Sequence, residues 1–416
     1  MKIKINKGKA KGFVEAPPSK SMAHRLLICA GLSDGISEIQ GIAESQDILA
    51  TLDCLRALGA QWERVPAREQ EDGDVQSVLK IKGTDVRNRT APVSLNCRES
   101  GSTLRFFVPL CLASEAEAEL YGSERLMERP MEVYEKICED RGLVFERSEG
   151  RLRVRGPLHA GVFKVAGNIS SQFISGLLFA MPLLEGESRL EILPPVESRS
   201  YIDMTLSALQ TFGIGFERSD ENTIVIRGGQ RYCPQRAKVE GDYSNAAFFQ
   251  ALDMLGGDVQ VGNLDEDSLQ GDRVCSEMLA RLKSGRPELD ISDCPDLGPI
   301  LFAAAAVTGK GAVFTGTKRL KIKESDRGEV MARVLDKFGV EVIMEENRMV
   351  IGGGGIKTPK EPLYGFNDHR IVMSEAVLLT VTGGIIEGAE AVSKSFPDFF
   401  DKLASLGIEV EKIEDK

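Results

Sequence analysis

Leu335-Asp336-Lys337-Phe338-Gly339-Val340-Glu341-Val342 has the form of a helix that stops at a glycine and a strand that starts directly after it. Glycine at that point takes the left-handed conformation cheaply and turns the chain out of the helix. The same form recurs in Leu55–Glu63, Glu139–Glu146, Leu209–Glu217 and Leu403–Val410, and more weakly in Ala280–Gly285. The glycines Gly59, Gly142, Gly213, Gly285, Gly339 and Gly407 stand 83, 71, 72, 54 and 68 residues apart. The chain is therefore read as six copies of one unit, about 70 residues long.

A second, more apolar helix precedes each of these segments. Its openings are placed at Ser21, Ser102, Ser171, Ser244, Asp296 and Asp368, and a glycine-containing turn and a β-branched strand follow, as in Gly384-Ile385-Ile386. The unit reads strand–helix–strand–helix–strand–strand, which is an α/β (α+β) architecture of small subdomains, each burying an apolar helix against its own sheet. A chain of 416 residues exceeds one ordinary core, so two domains are expected. Gln230–Lys238 is the expected crossing between the third and fourth copies, and an early crossing near Ala16–Ser19 is also open if the N-terminal strand pairs with the second half.

Composition narrows the function classes. The residues are 42% hydrophobic and 28% charged with a net charge of -11, which disfavours non-specific nucleic-acid binding. No run of 18 apolar residues occurs, and Met1-Lys2-Ile3-Lys4 lacks a signal-peptide core, so a cytoplasmic protein without a membrane segment is expected. The eight cysteines form no Cys-x-x-Cys pair and the three histidines are far apart, so neither a disulfide framework nor a metal site is expected. Ala67–Gln76 reads as an exposed hairpin tip and Gly352–Gly355 as a hairpin turn. Ser19-Lys20-Ser21 lacks the glycine spacing of a P-loop.

The helix openings carry the chemistry. Lys20 and Arg25 follow Pro17-Pro18-Ser19 in the first turns of a helix, Arg105 follows Ser100-Gly101-Ser102, and Arg370 follows Asn367-Asp368-His369. A helix N-terminus favours anions, so cations there oppose the macrodipole. A bound anion reconciles them, since the helix end, the hydroxyls and the cations would all point at it. Each serine or aspartate taken singly is an ordinary cap, and Ser170-Ser171-Gln172 and Asp296 carry that plainer reading too. Jointly, equivalent positions in a repeat are better explained by one shared anion site. Lys321–Arg327 alternates charge densely; it is either a solvated helix start or a face with Lys323, Glu324 and Arg327 turned to a ligand.

Several of these motifs together resemble the EPSP synthase (3-phosphoshikimate 1-carboxyvinyltransferase) family. They are Pro18-Ser19-Lys20-Ser21 with Arg25, Gly101 with Arg105, Glu128-Arg129-Pro130, Ser170-Ser171-Gln172-Phe173, Lys323-Glu324-Ser325-Asp326-Arg327, Asn367-Asp368-His369-Arg370 and Lys394-Ser395-Phe396-Pro397-Asp398. The resemblance implies two similar lobes, each of three βαβαββ repeats, an inverse α/β barrel of the enolpyruvyl transferase kind. It places residues 1–18 plus 239–416 in lobe I, residues 19–238 in lobe II and the active site in the cleft between them. It implies transfer of the enolpyruvyl group of phosphoenolpyruvate to the 5-hydroxyl of shikimate 3-phosphate by addition–elimination, on the route to chorismate and the aromatic amino acids. Asp296, Glu324 and Lys20 are then the catalytic residues. Lys20, Ser21, Arg25, Ser170, Ser171, Gln172, Ser198, Asp296 and Lys323 are the shikimate 3-phosphate site. Lys20, Gly101, Arg125, Gln172, Arg327, Arg370 and Lys394 are the phosphoenolpyruvate site. No metal or cofactor is implied, and a monomer is expected.

One stretch and one further position depart from the family pattern. Arg98-Glu99-Ser100-Gly101-Ser102 stands where the family has Gly-Asn-Ala-Gly-Thr, which puts Glu99 in place of a neutral amide, and Arg319 stands where an asparagine often faces the shikimate phosphate. The competing readings are the sister enzyme that uses UDP-N-acetylglucosamine, whose loop carries a reactive cysteine absent from Tyr121–Glu128, and a catalytically silent anion-binding protein of the same fold.

Overall fold

The computed structural model describes residues 1–66 and 77–413; the expected hairpin tip Ala67–Gln76 lies outside them. The chain falls into two compact units, Pro18–Glu240 and Met1–Pro17 with Gly241–Lys416. Among the described residues, each unit holds three separate sheets, and no sheet closes on itself.

In the unit Pro18–Glu240 each sheet has four strands in one order. The sheet of the third copy runs Val162–Ala166, Glu187–Leu193, Thr223–Arg227, Glu217–Asp220, with the first pair parallel and the rest antiparallel. The first copy takes its outer strand from late in the chain: Arg236–Lys238 pairs in parallel with Ile36–Gln40. The other unit closes the same way. Lys2–Ile5 lies between Gly384–Glu387 and Val410–Ile413, and Lys11–Glu15 pairs in parallel with Asp258–Gly262.

Six helices open the six copies: α1 (Lys20–Gly31), α2 (Gly101–Leu112), α3 (Ser171–Ala180), α4 (Tyr243–Met254), α5 (Gly298–Thr308) and α6 (His369–Thr382). They are buried nearly all round, as Ile300 to Ala306 and Ile371 to Thr380 show. The strands instead alternate buried and exposed, as in Arg151–Arg155. Helices that are apolar on every face belong inside, and half-buried strands belong outside. Each unit therefore has its own core of helices under a shell of sheets.

The predicted openings lie one or two residues late at several places. The caps are Ser19, Ser100, Ser170, Asp242 and Asp368, each accepting a backbone N–H with its side chain. Asp296 is not the cap of α5, which starts at Gly298 after a short turn, Pro295–Leu297.

Five of the six repeat glycines have positive φ (Gly59, Gly142, Gly213, Gly339, Gly407). Gly285 does not; its φ of -168° is extended. The fourth copy lacks its terminal hairpin, so the chain runs straight from the helix Cys275–Ser284 into the strand Glu288–Asp290 and no reversal is needed. Its sheet has two strands, against four in each of the others among the described residues. The short interval of 54 residues after Gly285 is the trace of that loss. Gly352–Gly355 is not a hairpin turn either. The hairpin of Val342–Glu345 with Arg348–Ile351 turns at Glu346-Asn347, and the glycines follow it, where Gly354 N–H donates to the Gly309 carbonyl at 2.8 Å.

One of the buried charged residues stands apart from the site. Glu375 on α6 is fully buried, and neither carboxyl oxygen has a hydrogen-bond partner of good geometry among the described residues. Burial pushes its carboxyl well above the usual range, against the pull of Lys337 and of the Tyr364 backbone. The unfolded chain ionises this group from about pH 4.3 upward while the fold keeps it neutral, so stability falls as pH rises through that window. Glu375→Gln is expected to raise Tm by about 2 °C or more at pH 8 and to leave it nearly unchanged at pH 4, as read by calorimetry.

Candidate active site

In the unit Pro18–Glu240, Pro17-Pro18 keeps the chain extended before α1 and Ser19 caps the helix, accepting from the Met22 N–H at 3.3 Å. Lys20 Nζ donates to Asp47 Oδ2 at 2.8 Å, both groups being largely shielded. Asp47 stands in the first turn of the helix Gln46–Ala57, whose dipole favours an acid there.

Arg25, one turn further along α1, is 3% exposed. Its guanidinium donates to Thr205 Oγ1 at 2.9 Å, the Ser21 carbonyl at 2.6 Å and the Tyr201 carbonyl at 2.9 Å. It also lies 5.6 Å from the Phe106 ring centroid and 5.8 Å from that of Tyr201. None of the hydrogen-bond acceptors is a carboxylate. Burial lowers its proton affinity to about 10, so the cation is held in a place that lacks an anion.

The other two openings of this unit are tied together. Arg105 on α2 donates to Gln172 Oε1 at 2.7 Å, and Gln172 Nε2 donates to Ser102 Oγ at 2.9 Å. Arg105 also stacks over Phe173 and donates to the Pro130 carbonyl. It is thus a brace for Gln172. Ser170 and Ser171 are buried beside Gln172, Ser170 as the cap of α3. Ser198 is fully buried with φ +55°, a costly conformation for a residue with a Cβ. The space beside Gly101 is filled by the Arg129 guanidinium, which a Cβ there would strike. Arg129 was not among the expected site residues, although the motif Glu128-Arg129-Pro130 contains it. Arg125 is half exposed and lies 3.8 Å from Glu128.

The unit Met1–Pro17 with Gly241–Lys416 gathers charges instead. Asp296 has three cations at ion-pair distance: Arg327 at 2.8 Å, Lys323 at 3.0 Å and Arg370 at 3.2 Å. Burial alone would raise its carboxyl, but Arg370, Lys323 and Arg327 overcome this and hold it well below the usual range. Burial lowers Lys323, with Asp296 opposing.

Arg327 is 1% exposed and serves three acids, Asp296, Glu324 at 2.6 Å and Asp368 at 2.9 Å. Burial opposes its charge, and Asp368, Glu324 and Asp296 more than restore it. Asp368 is itself fully buried, caps α6 through the Arg370 N–H and accepts from Ser325 Oγ. Lys394 Nζ donates to the Asn367 carbonyl at 2.6 Å in a turn where Phe366 and Asn367 both have positive φ. Arg319 is buried within electrostatic reach of Lys323.

The structure thus brings Asp296, Lys323, Glu324, Arg327 and Arg370 into one cluster, with Lys394, at the end of the short helix Ala389–Lys394, bonded to the loop that opens α6. In the other unit, Lys20 and Arg25 share α1, Arg105 braces Gln172, and Ser170 and Ser171 open α3. Sequence reasoning missed the partners that hold these groups: Asp47, Thr205, Tyr201 and Asp368. Asp47 was legible in principle, since Ser45-Gln46-Asp47 opens a helix; Thr205 and Tyr201 carried no local signal. Among the described residues no group of three or more His, Cys, Asp or Glu is arranged to hold a metal, and no helix is long and apolar enough to cross a membrane. All eight cysteines are free.

The family model for EPSP synthase (3-phosphoshikimate 1-carboxyvinyltransferase) matches residues 5–403. A 3-phosphoshikimate 1-carboxyvinyltransferase of Clostridium botulinum (strain Eklund 17B / Type B) is 40% identical over 433 aligned positions, covering 97% of each chain. One from Clostridium kluyveri is 38% identical and covers 99% of this chain and 98% of its own. A solved structure of EPSP synthase from Acinetobacter baumannii has the same fold, with a TM-score of 0.76 at 23% identity over the full length of both chains.

Asp368→Ala removes a cap and one of the carboxylates around a buried arginine. It is expected to destabilise the protein by about 3–5 kcal/mol, measured by urea unfolding, because Arg327 keeps its charge and loses its most deeply buried partner.

Proposed function

The chain belongs to the EPSP synthase family, and we propose that it transfers the enolpyruvyl group of phosphoenolpyruvate to the 5-hydroxyl of shikimate 3-phosphate and releases phosphate. The observation that carries this reading is the Asp296 cluster, one carboxylate held by three cations that polyanionic substrates can also claim.

The chemistry has a simple proton inventory. The acceptor hydroxyl loses a proton as its oxygen attacks C2 of phosphoenolpyruvate, and C3 gains one. The tetrahedral adduct then expels phosphate and C3 returns a proton, so the two steps balance. Asp296 is the base at the hydroxyl, and Glu324 and Lys20 handle the proton at C3.

Asp296 surrounded by Arg327, Lys323 and Arg370 is a weak base. When substrate phosphate and carboxylate groups draw those cations onto themselves, the carboxylate regains proton affinity. The base is then strongest when the substrates are in place, which couples binding to chemistry.

Shikimate 3-phosphate is held by Lys20, Ser21, Arg25, Ser170, Ser171, Gln172, Ser198 and Lys323. Arg25 supports this most directly, because its acceptors are hydroxyls and carbonyls and a phosphate would supply the missing anion. Phosphoenolpyruvate is held by Lys20, Gly101, Arg125, Gln172, Arg327, Arg370 and Lys394, and Arg129 joins them through its place over Gly101.

Phosphate release from phosphoenolpyruvate is expected with shikimate 3-phosphate as acceptor and not with UDP-N-acetylglucosamine. The reverse preference, or none, overturns the reading. Lys20→Ala and Asp296→Asn are each expected to lower kcat by about 100-fold or more while circular dichroism stays native. Turnover near that of the unaltered chain in either variant removes that residue from the mechanism.

A further inference from the structure

The fourth helix opening has no place in the reaction as described so far. It carries no cation; it presents Asp242, Ser244 and Asn245. Asp242 caps α4 through the Asn245 N–H at 2.8 Å. The hydroxyl of Ser244 donates to Asp272 Oδ2 in a short hydrogen bond. Asp272 lies in the turn Gly271–Val274, which is strapped to the same opening by Gln270: its Oε1 accepts from the Tyr243 N–H at 3.0 Å and its Nε2 donates to the Gly241 carbonyl at 2.8 Å. Asp272 is buried, and this short turn and the turn that carries Asp296 both pack against α4.

We propose that Asp272 is a positioning residue for the transfer: gripped by Ser244 at the opening of α4, it balances the cations around Asp296, steadies Arg370 and keeps Asp296 competent as a base. The proposal rests on Asp296 being the base of the reaction above.

Ser244 at the opening of α4 touches Asp272, and the groups within electrostatic reach of it are Asp296 from the turn before α5, Arg370 from α6, Asp242 from the opening of α4, and the neutral thiols of Cys275 and Cys294. Burial and then the Asp296 charge push its carboxyl up to about 6, against Arg370 and the Ser244 hydroxyl. Coulomb interactions are mutual, so the ionised Asp272 raises the proton affinity of Asp296 by the same interaction. Asp272 adds to what the substrate anions do, because three cations stand at 2.8–3.2 Å from Asp296 before the substrates draw on them. Arg370 feels the same acid, being stabilised as a cation by Asp296 and by Asp272. The sign follows directly. The useful form of Asp272 is the anion, so its contribution is present above about pH 6 and is lost as pH falls through that value.

Asp272→Asn keeps the shape and an oxygen for Ser244 and removes the charge. In a phosphate-release assay across pH 5 to 9, the unaltered chain is expected to lose kcat below about pH 6, and Asp272→Asn to lack that limb. The variant should also turn over about tenfold more slowly at pH 8, the factor that one unit of proton affinity represents. Ser244→Ala should move the limb to higher pH, since the hydroxyl no longer supports the carboxylate. A purely structural role would change Tm and leave the limb in place; an Asp272→Asn profile identical to that of the unaltered chain overturns the proposal. Carbon-13 carboxyl titration of the ligand-free protein separates this outcome from a failure of the functional reading. A carboxyl titrating near pH 6 that vanishes in Asp272→Asn, with Asp296 shifted to lower pH, supports the electrostatic coupling even if the unaltered chain proves inactive on these substrates. The absence of that carboxyl overturns the proposal whatever the turnover.

Discussion

Arg327, an arginine with almost no contact with solvent, is the member on which the charged half of this molecule depends. Burying a guanidinium costs several kcal/mol unless its donors are met with good geometry. Here they are met by three acids from three segments: Asp368 at the start of α6, Glu324 one helical turn back in sequence, and Asp296 ahead of α5. Because each bond is directional, the same contacts that satisfy the arginine fix where Asp296 and Glu324 point. The charge of Arg327 then joins those of Arg370 and Lys323 in holding the proton affinity of Asp296 down.

Beside the Lys20–Asp47 pair, the other unit solves the same positioning task with neutral groups. His24 Nδ1, Thr51, Thr103 and Ser100 form a chain of buried hydrogen bonds of 2.7–2.8 Å that joins α1, the helix Gln46–Ala57 and the opening of α2. His24 is held neutral there by burial and by Lys20 and Arg25. Arg105 reaches Gln172 without a carboxylate between them. A network of this kind fixes side chains and adds no negative charge, so Arg25 stays an uncompensated cation. One unit therefore sets acids against its buried cations, and the other meets the buried Arg25 with hydroxyls and carbonyls.

Much of the fold was legible because it is repeated. A single helix-glycine-strand segment is a weak signal, but five glycines with positive φ at intervals near 70 residues reinforce one another. The exception, Gly285, failed where local sequence could not report that a hairpin was missing. Candidate site residues were legible where charge stood in an unfavourable place, as Lys20, Arg25 and Arg370 do in first turns. It was illegible where a side chain works across long sequence distances. Thr205 meets Arg25 180 positions away and Asp368 meets Arg327 41 positions away, and neither has a local pattern to announce it. Asp296 shows the opposite failure, since it reads locally as a helix cap and is in fact turned onto three cations.

The way the first and last strands are shared has a consequence for the order in which the protein folds. Residues 18–240 form one uninterrupted unit, whereas the other unit needs Lys2–Ile5 and Lys11–Glu15 as well as the chain after Gly241. Bringing those two parts together across a disordered chain of that length costs about 5 kcal/mol in loop-closure entropy. Once the middle unit has folded, that cost is gone, because the Ser19 N–H bonds the Glu240 carbonyl at 2.7 Å and so holds the ends of the insertion side by side. During synthesis Lys11–Glu15 waits for Asp258–Gly262, and Lys2–Ile5 must wait longer, unpaired, until Gly384–Glu387 and Val410–Ile413 are made. Lys2 and Lys4 on the first strand are the kind of charge that keeps a waiting edge soluble.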